Sequence, residues 1–307
     1  MKLVSIVSGV LLCVILVVSC STSEKANDVA PTNEAYSGPV IDMHVHTGEI
    51  MGAISEVLDG PTPPGSSLSF EEHRLQTYKM FEKYNIVKAV VSGVDFRASE
   101  WSAIDPKRII PGTMVLTTER PSVEQCRQAY QEGKLKLLGE VGFYYQGVYA
   151  NDTEVKPYFD LAEELNIPVS YHLMDNLHNG HANPAQFNEV LRAHPDLKIY
   201  VSHAGHPHLE EIKTLLSNFP NLYVDISALN HYEDFEPYIK DLMDNGFGKR
   251  IMYGTDQMEN PATFDEAFPA IDNLPFLSAE QKADIFYHNA ARFLGLSEQE
   301  IKKHWGR

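Results

Sequence analysis

Eight short apolar stretches, separated by segments with helical spacing, constrain the fold of this chain more than any other feature of the sequence. The stretches are residues 39–45, 87–93, 108–115, 135–141, 167–173, 197–203, 221–227 and 250–256. Apolar runs of this length, rich in Val, Ile and Tyr, are typical of buried strands. Strands that alternate with helices pair in parallel through right-handed crossovers.

The segments between these stretches carry helix signals. Ser69 with Glu72 and Ser122 with Gln125 stand in capping-box register, and the second of these helices is expected to end at Gly133. Further helical patterns occupy residues 154–166, 184–195, 209–220 and 235–246, and residues 278–296 predict two more helices. The sequence therefore predicts an α/β fold, a single (β/α)₈ TIM barrel over residues 39–307 with extra C-terminal helices. A doubly wound open sheet is the alternative, but it would more often show a Gly-rich phosphate loop after its first strand.

The N-terminal residues are predicted to lie outside this domain. Residues 1–19 contain Lys2, an apolar core and a small residue before Cys20, which is the layout of a secretory signal peptide. The ending "VVSC" resembles a bacterial lipobox, so Cys20 is a predicted lipidation site and the protein is expected at the bacterial cell envelope, held to the membrane by a lipid anchor. An N-terminal membrane helix is the alternative. The polar residues 20–38 predict a flexible tether, and Cys126 is expected to be a buried helix residue.

The charge balance limits the partners of the chain. The formal net charge is −17, from 42 acidic and 25 basic residues. A surface of this sign repels polyanions, so we expect no nucleic acid partner and a small-molecule substrate instead. The oligomeric state stays open.

Potential metal ligands stand at the ends of five predicted strands. His44 and His46 are two residues apart on the first strand, so both rings project to the same side. The other candidates are Glu140 on the fourth strand, His172 on the fifth, His203 on the sixth and Asp256 on the eighth. Strand ends meet at one face of a barrel, and imidazole with carboxylate suits Zn²⁺, Mn²⁺ or Fe²⁺. The set could serve one ion, or two with a bridging carboxylate.

These residues resemble a known group. The H-x-H of the first strand, the later histidines and the final Asp resemble the amidohydrolase superfamily of metal-dependent hydrolases. The stretches "SHAGHP", "NLYVDIS", "YGTD" and "NAARFLGL" are similar to its amidohydrolase-related ("amidohydrolase 2") branch. Glu140 stands where many two-metal members carry a carboxylated lysine, and in this it is similar to TatD-type hydrolases.

The resemblance implies a catalytic site with divalent metal, zinc first and Mn or Fe as alternatives. It implies one cation at His44, His46 and Asp256, and a second at His172 and His203 with Glu140 bridging. Asp256 is the implied general base. A single-metal site, with Glu140 as an outer partner of the ligands, stays open.

Polar residues that follow the strands are candidates for substrate binding. They are Arg97, Arg120, Tyr144, Asp175 and His206. Arginine at a barrel mouth is suited to binding a carboxylate, so Arg97 and Arg120 are the leading candidates among them.

The leading function is hydrolysis of an amide, lactone or other ester in a small molecule. Glu140 favours hydrolysis, because a bridging carboxylate serves a two-metal site. Non-oxidative decarboxylation with one metal and TatD-type phosphodiester cleavage are alternative enzyme functions. A surface lipoprotein that binds a ligand without reaction is an alternative of a different class.

Overall fold

Eight parallel strands form the centre of the molecule, hydrogen-bonded in the order of the sequence. The computed structural model describes residues 34–48, 68–116, 120–175 and 180–306. The strands are β1 (Val40–His46), β2 (Ile86–Ser92), β3 (Ile109–Val115), β4 (Leu137–Val141), β5 (Val169–His172), β6 (Ile199–Ser202), β7 (Leu222–Asp225) and β8 (Ile251–Met252). Every residue of β1, β4, β5 and β6 is buried, as parallel strands covered by helices require.

Contacts between the last strand and the first close the sheet. The Met43 amide donates to the Tyr253 carbonyl at 3.0 Å, and the Asp256 amide donates to the His44 carbonyl at 2.8 Å. Val45 also forms a parallel bridge with Gln257. The predicted TIM barrel is therefore confirmed, and an open doubly wound sheet is excluded.

The helices alternate with the strands. They are α1 (Phe70–Lys83), α2 (Ala98–Ile104), α3 (Val123–Gln131), α4 (Lys156–Leu165), α5 (Phe187–Ala193), α6 (Leu209–Asn218), α7 (Phe235–Asp244), α8 (Phe264–Asp272), α9 (Ala279–Ala283), α10 (Asn289–Leu294) and α11 (Glu298–His304). Capping boxes at Ser69 and Ser122 start α1 and α3 as predicted. The two predicted C-terminal helices are α9 and α10, joined by a π-helical turn over Asp284–His288.

The residues just before β1 lie against the C-terminal helices. The buried Lys282 of α9 donates from Nζ to the Glu34 carbonyl at 3.0 Å and pairs with Asp272 Oδ1 at 3.0 Å. The Tyr36 ring stacks on Phe286 with centroids 4.9 Å apart. Residues 34–38, which the sequence assigns to the tether, thus contact the domain at the end of the barrel where β1 begins.

The predicted signal peptide, Cys20 and most of the predicted tether lie outside the described residues, and those expectations stay predictions. Within the described ranges, no helix combines the length and the apolar character needed to cross a bilayer. Cys126 is buried in α3, as expected.

Candidate metal centre

The side chains of the two histidines of β1 place their ring nitrogens close together. The alternation of the strand puts His44 and His46 on one side, and their Nε2 atoms are 3.1 Å apart. Two nitrogens bound to one tetrahedral ion at 2.0–2.1 Å would stand roughly 3.3 Å apart. The observed spacing therefore fits two ligands of a common cation.

Glu140 lies between these rings and the histidines of β5 and β6. Its Oε1 is 3.3 Å from His44 Nε2, 2.6 Å from His172 Nδ1 and 3.6 Å from His203 Nε2. Its Oε2 is 3.9 Å from His46 Nε2. The carboxylate thus contacts both halves of the predicted ligand set, which is the position that a bridging ligand needs.

Asp256 completes the cluster from the loop after β8. Its Oδ1 is 3.2 Å from His46 Nε2 and 3.5 Å from His44 Nε2. The residue adopts a left-handed backbone conformation (φ 52°), which is strained for a residue with a Cβ. Its side chain is 15% exposed, against 9% or less for the other five, so Asp256 is the member most open to a substrate.

The structure thus brings all six predicted ligands together. Ligand atoms that lie within 4.8 Å of one another form the groups His44–His46–Asp256, Glu140–His172–His203 and His44–His203–Asp225. The first two groups match the two-cation arrangement that the resemblance implies, and the third shares a histidine with each of them. The shared position of Glu140 is equally compatible with one ion.

Asp225 and Ser227 contact the Nδ1 atoms of these histidines, on the side of each ring away from Nε2. The sequence interpretation did not assign either residue a role. Asp225, at the end of β7, places Oδ2 3.1 Å from His44 Nδ1. Ser227 Oγ is 3.0 Å from Nδ1 of both His44 and His203. Partners on Nδ1 fix ring orientation and leave Nε2 for a metal. Asp225 occupies the same strand-end position as the other candidates, and this was the signal that could have identified it.

The surroundings of His203 Nε2 indicate whether a cation fits this cluster. This atom is buried and has no hydrogen-bond partner. A buried nitrogen without a partner is costly, and a coordinated cation would satisfy it. A donor set of imidazole nitrogens and carboxylate oxygens is also the one that Zn²⁺, Mn²⁺ and Fe²⁺ accept.

Asp42 ties the first strand to the loop that carries Asp256. Its carboxylate accepts from the His44 amide at 2.9 Å, and from the amide and hydroxyl of Thr255 at 3.1 and 2.8 Å. Burial raises the pKa of Asp42 to about 7, although these hydrogen bonds oppose the rise. The backbone on both sides of the candidate centre is thereby held to one buried group.

The charged groups of the cluster shift one another's pKa values toward the ionised forms. Burial acts to raise the pKa of Glu140, but the charges on His172 and His44 outweigh it and hold that pKa well below its usual range. Burial acts to lower the pKa of His44, but the carboxylates of Glu140, Asp225 and Asp256 raise it well above its usual value. The site therefore holds ionised carboxylates that require positive charge beside them.

Of the predicted substrate-binding residues, Tyr144 contacts the cluster directly, with its ring stacked on His172 at a centroid distance of 5.4 Å. Beside it, Tyr145 has its hydroxyl 3.2 Å from His172 Nε2. His206 lies in the loop after β6, with Nε2 2.9 Å from Asp234 Oδ1. These loops share the face of the barrel on which the cluster lies.

The two arginines have protein partners on the loops after β2 and β3. The Arg97 guanidinium lies 3.7 Å from the centre of the Phe70 ring. The Arg120 guanidinium lies 4.4 Å from the centre of the Phe143 ring. Asp175, after β5, has Oδ2 3.5 Å from His208 Nε2.

A family model described as "Amidohydrolase" matches residues 41–296, which is most of the chain. No curated protein matches the sequence.

Solved structures share the fold at low sequence identity. An uncharacterised TIM-barrel protein from Bordetella bronchiseptica is 17% identical, covers 88% of this chain and all of its own, and has a TM-score of 0.65. A probable 2-pyrone-4,6-dicarboxylic acid hydrolase from Acinetobacter baumannii is 13% identical, with coverage of 84% and 99% and a TM-score of 0.61. A 5-carboxyvanillate decarboxylase from Novosphingobium aromaticivorans, complexed with manganese, is 16% identical, with coverage of 86% and 99% and a TM-score of 0.57.

Proposed function

The chain belongs to the amidohydrolase family, and from that premise we propose that it is a metal-dependent hydrolase of an amide, lactone or other ester bond in a small molecule. The observation that carries the proposal is the cluster of four imidazoles and two carboxylates at the carboxyl ends of the strands. Functional groups of TIM barrels collect at that face.

The candidate ligands are His44, His46 and Asp256 on one side and His172 and His203 on the other, with Glu140 between them. A divalent cation at such a site supplies positive charge that acidifies an attacking water and polarises the oxygen of the bond to be cleaved. Zinc is the proposed metal, and manganese or iron would suit the same donors.

Asp256 is the proposed general base. Its carboxylate is ionised, because the charges on His44 and the other imidazoles lower its pKa despite burial. It is also the most exposed member of the cluster. It would accept the proton of the water as the substrate carbonyl is attacked, and it would return that proton to the leaving group.

The test of this role is Asp256→Asn, which keeps the shape of the side chain and removes the base. We expect kcat on a panel of lactones, esters and amides to fall by at least about 100-fold. Metal content of the variant is measured in parallel, so that loss of the ion is separated from loss of the base. Near-normal turnover in a metal-loaded variant would defeat the assignment.

Non-oxidative decarboxylation is the second candidate. It is favoured by structural neighbours named as 2,6-dihydroxybenzoate decarboxylase and 5-carboxyvanillate decarboxylase. Elemental analysis of the purified protein separates the two. Close to two ions per chain supports hydrolysis with Glu140 bridging, whereas one ion with release of CO₂ from carboxylated aromatics supports decarboxylation. Cleavage of oligonucleotides would instead revive the TatD-type alternative.

We also propose that Cys20 carries a lipid that holds the protein to a bacterial membrane. The support is the layout of residues 1–20 in the sequence. Cys20→Ala should abolish incorporation of labelled fatty acid and release the protein from the membrane fraction. Unchanged labelling in the variant would remove the proposal and leave the catalytic one untouched.

A further inference from the structure

The loops at the mouth of the barrel are strongly acidic. Counted from the end of each strand to the start of the next α-helix, the described parts of these loops contain eight carboxylates, including Asp256, and two arginines. A cleft lined by one sign of charge attracts ligands of the opposite sign and repels those of the same sign.

Both arginines of these loops are paired with glutamates. Arg97 Nε is 3.7 Å from Glu100 Oε1, and Arg120 Nη2 is 3.6 Å from Glu154 Oε1. Each guanidinium also lies over a phenylalanine ring. Arg120 and Glu154 therefore offset each other within these loops, and the charge of Arg97 is opposed by Glu100 of α2. The remaining carboxylates of the mouth have no arginine of these loops beside them in the described residues.

Asp175 presents an oxygen that needs a donor. Its Oδ1 is buried and has no hydrogen-bond partner, and its Oδ2 is 3.5 Å from His208 Nε2. Its amide donates to the His206 carbonyl at 3.1 Å, which fixes the residue between two loops. Since a buried acceptor without a donor is costly, a donor from a ligand would stabilise this arrangement.

Asp175 lies close to a candidate metal ligand along the chain. It follows His172 by three residues, on the loop that leaves β5 at the face of the barrel where the cluster lies. The Tyr144 ring, from the loop after β4, stacks on His172. The loop that carries Asp175 is therefore the direct continuation of a strand that supplies the candidate centre.

Two exposed tyrosines belong to the same loops. Tyr149 is 43% exposed and lies 4.3 Å, centroid to centroid, from His181. Tyr232 is 36% exposed and lies 4.3 Å from His206. The faces of such rings attract ammonium groups and not carboxylates.

We propose, on the basis of the proposed hydrolase function, that the substrate is uncharged or cationic and presents an amine or ammonium group to Asp175. Asp175 is then the residue that sets specificity for the part of the substrate away from the cleaved bond. This substrate class differs from that of the neighbour named as a 2-pyrone-4,6-dicarboxylic acid hydrolase, whose named substrate carries two carboxylic acid groups.

A matched set of three benzamides tests the proposal on the zinc-loaded full chain. The probes are 4-(aminomethyl)benzamide, 4-methylbenzamide and 4-carboxybenzamide, and their dissociation constants are measured by titration. We expect the amine to bind at least about tenfold more tightly than the carboxylate, with the methyl compound between them. The ratio between the dissociation constants of the carboxylate and the amine should fall at high salt, because salt screens the charges.

Asp175→Asn should remove the advantage of the amine over the methyl compound. The matched control is Glu233→Gln, which removes an exposed carboxylate of the same mouth and should leave that advantage in place. The proposal is overturned if the carboxylate binds as well as the amine, if Asp175→Asn leaves the ratio unchanged, or if none of the three binds. Hydrolysis of the same compounds is scored separately, so the charge preference without turnover would count against amide hydrolysis and not against this inference.

Discussion

At the scale of single residues, the least expected contribution comes from Asp225. Its carboxylate holds His44 Nδ1, and Ser227 shares that task while also contacting His203. His44 and Asp225 are 181 positions apart, so no local pattern could reveal the contact. The sequence could indicate the candidate ligands because each ends an apolar run, but it could not show which neighbour orients each ring.

Asp225→Asn should weaken metal binding by about 10–100-fold, because His44 loses the charged partner that fixes its ring. Competition with a chromophoric chelator measures the affinity directly. Ser217→Ala, on the exposed side of α6, is the control and should bind metal normally. An affinity within error of the parent protein would contradict the role of Asp225.

Cys126 should not react with iodoacetamide in the folded protein. Its side chain is fully buried, and burial raises the pKa of the thiol to about 12, so almost no thiolate exists at neutral pH. Mass spectrometry of the peptide that contains Cys126 should show labelling only after denaturation. Rapid labelling under native conditions would refute its placement.

At the scale of secondary-structure elements, the strands were more predictable than the helices. Each predicted strand is found, because apolar runs between turn residues are a strong local signal. Helices α2, α8 and α11 were not predicted. Helix α8 buries Phe264, Ala267 and Ile271 along one side, but Pro269 stands inside this pattern. Helix α11 buries none of its residues and so has no apolar stripe, although the capping box of Ser297 and Glu300 marks its start.

The loop that follows β8 packs tightly against β1 at Gly254. A Cβ at that position would lie 2.8 Å from the Cβ of His44 and 3.2 Å from that of Ser227. Gly254→Ala should therefore displace His44 and lower both metal occupancy and turnover. Metal analysis with circular dichroism of the same sample checks this outcome, and full occupancy with a normal spectrum would show that the backbone adjusts without cost.

At the scale of the whole molecule, the barrel gathers residues from positions 44 to 256 into one buried, charged centre. Groups of this kind are satisfied by each other and by a cation, so folding and metal binding should be coupled. We expect chelation to lower the melting temperature and added zinc to restore it. An ion at 100 times its dissociation constant contributes about 2.7 kcal/mol.

Calorimetry with and without chelator measures this coupling. A variant with His44, His46, His172 and His203 all changed to Ala is the control, and its melting temperature should not respond to zinc. Identical melting curves for the parent protein in both conditions would rule out a stabilising ion at this centre.

The ammonium of Lys282 bears on how the isolated domain should be produced. Trimming the chain to begin at Pro39 would strip away the Glu34 carbonyl and the Tyr36 ring, and an interior cation would lose one of its acceptors. A protein that starts upstream of residue 34 should therefore melt at a higher temperature than one that starts at Pro39. This is expected even though residues 34–38 lie at the end of the barrel away from the candidate metal centre.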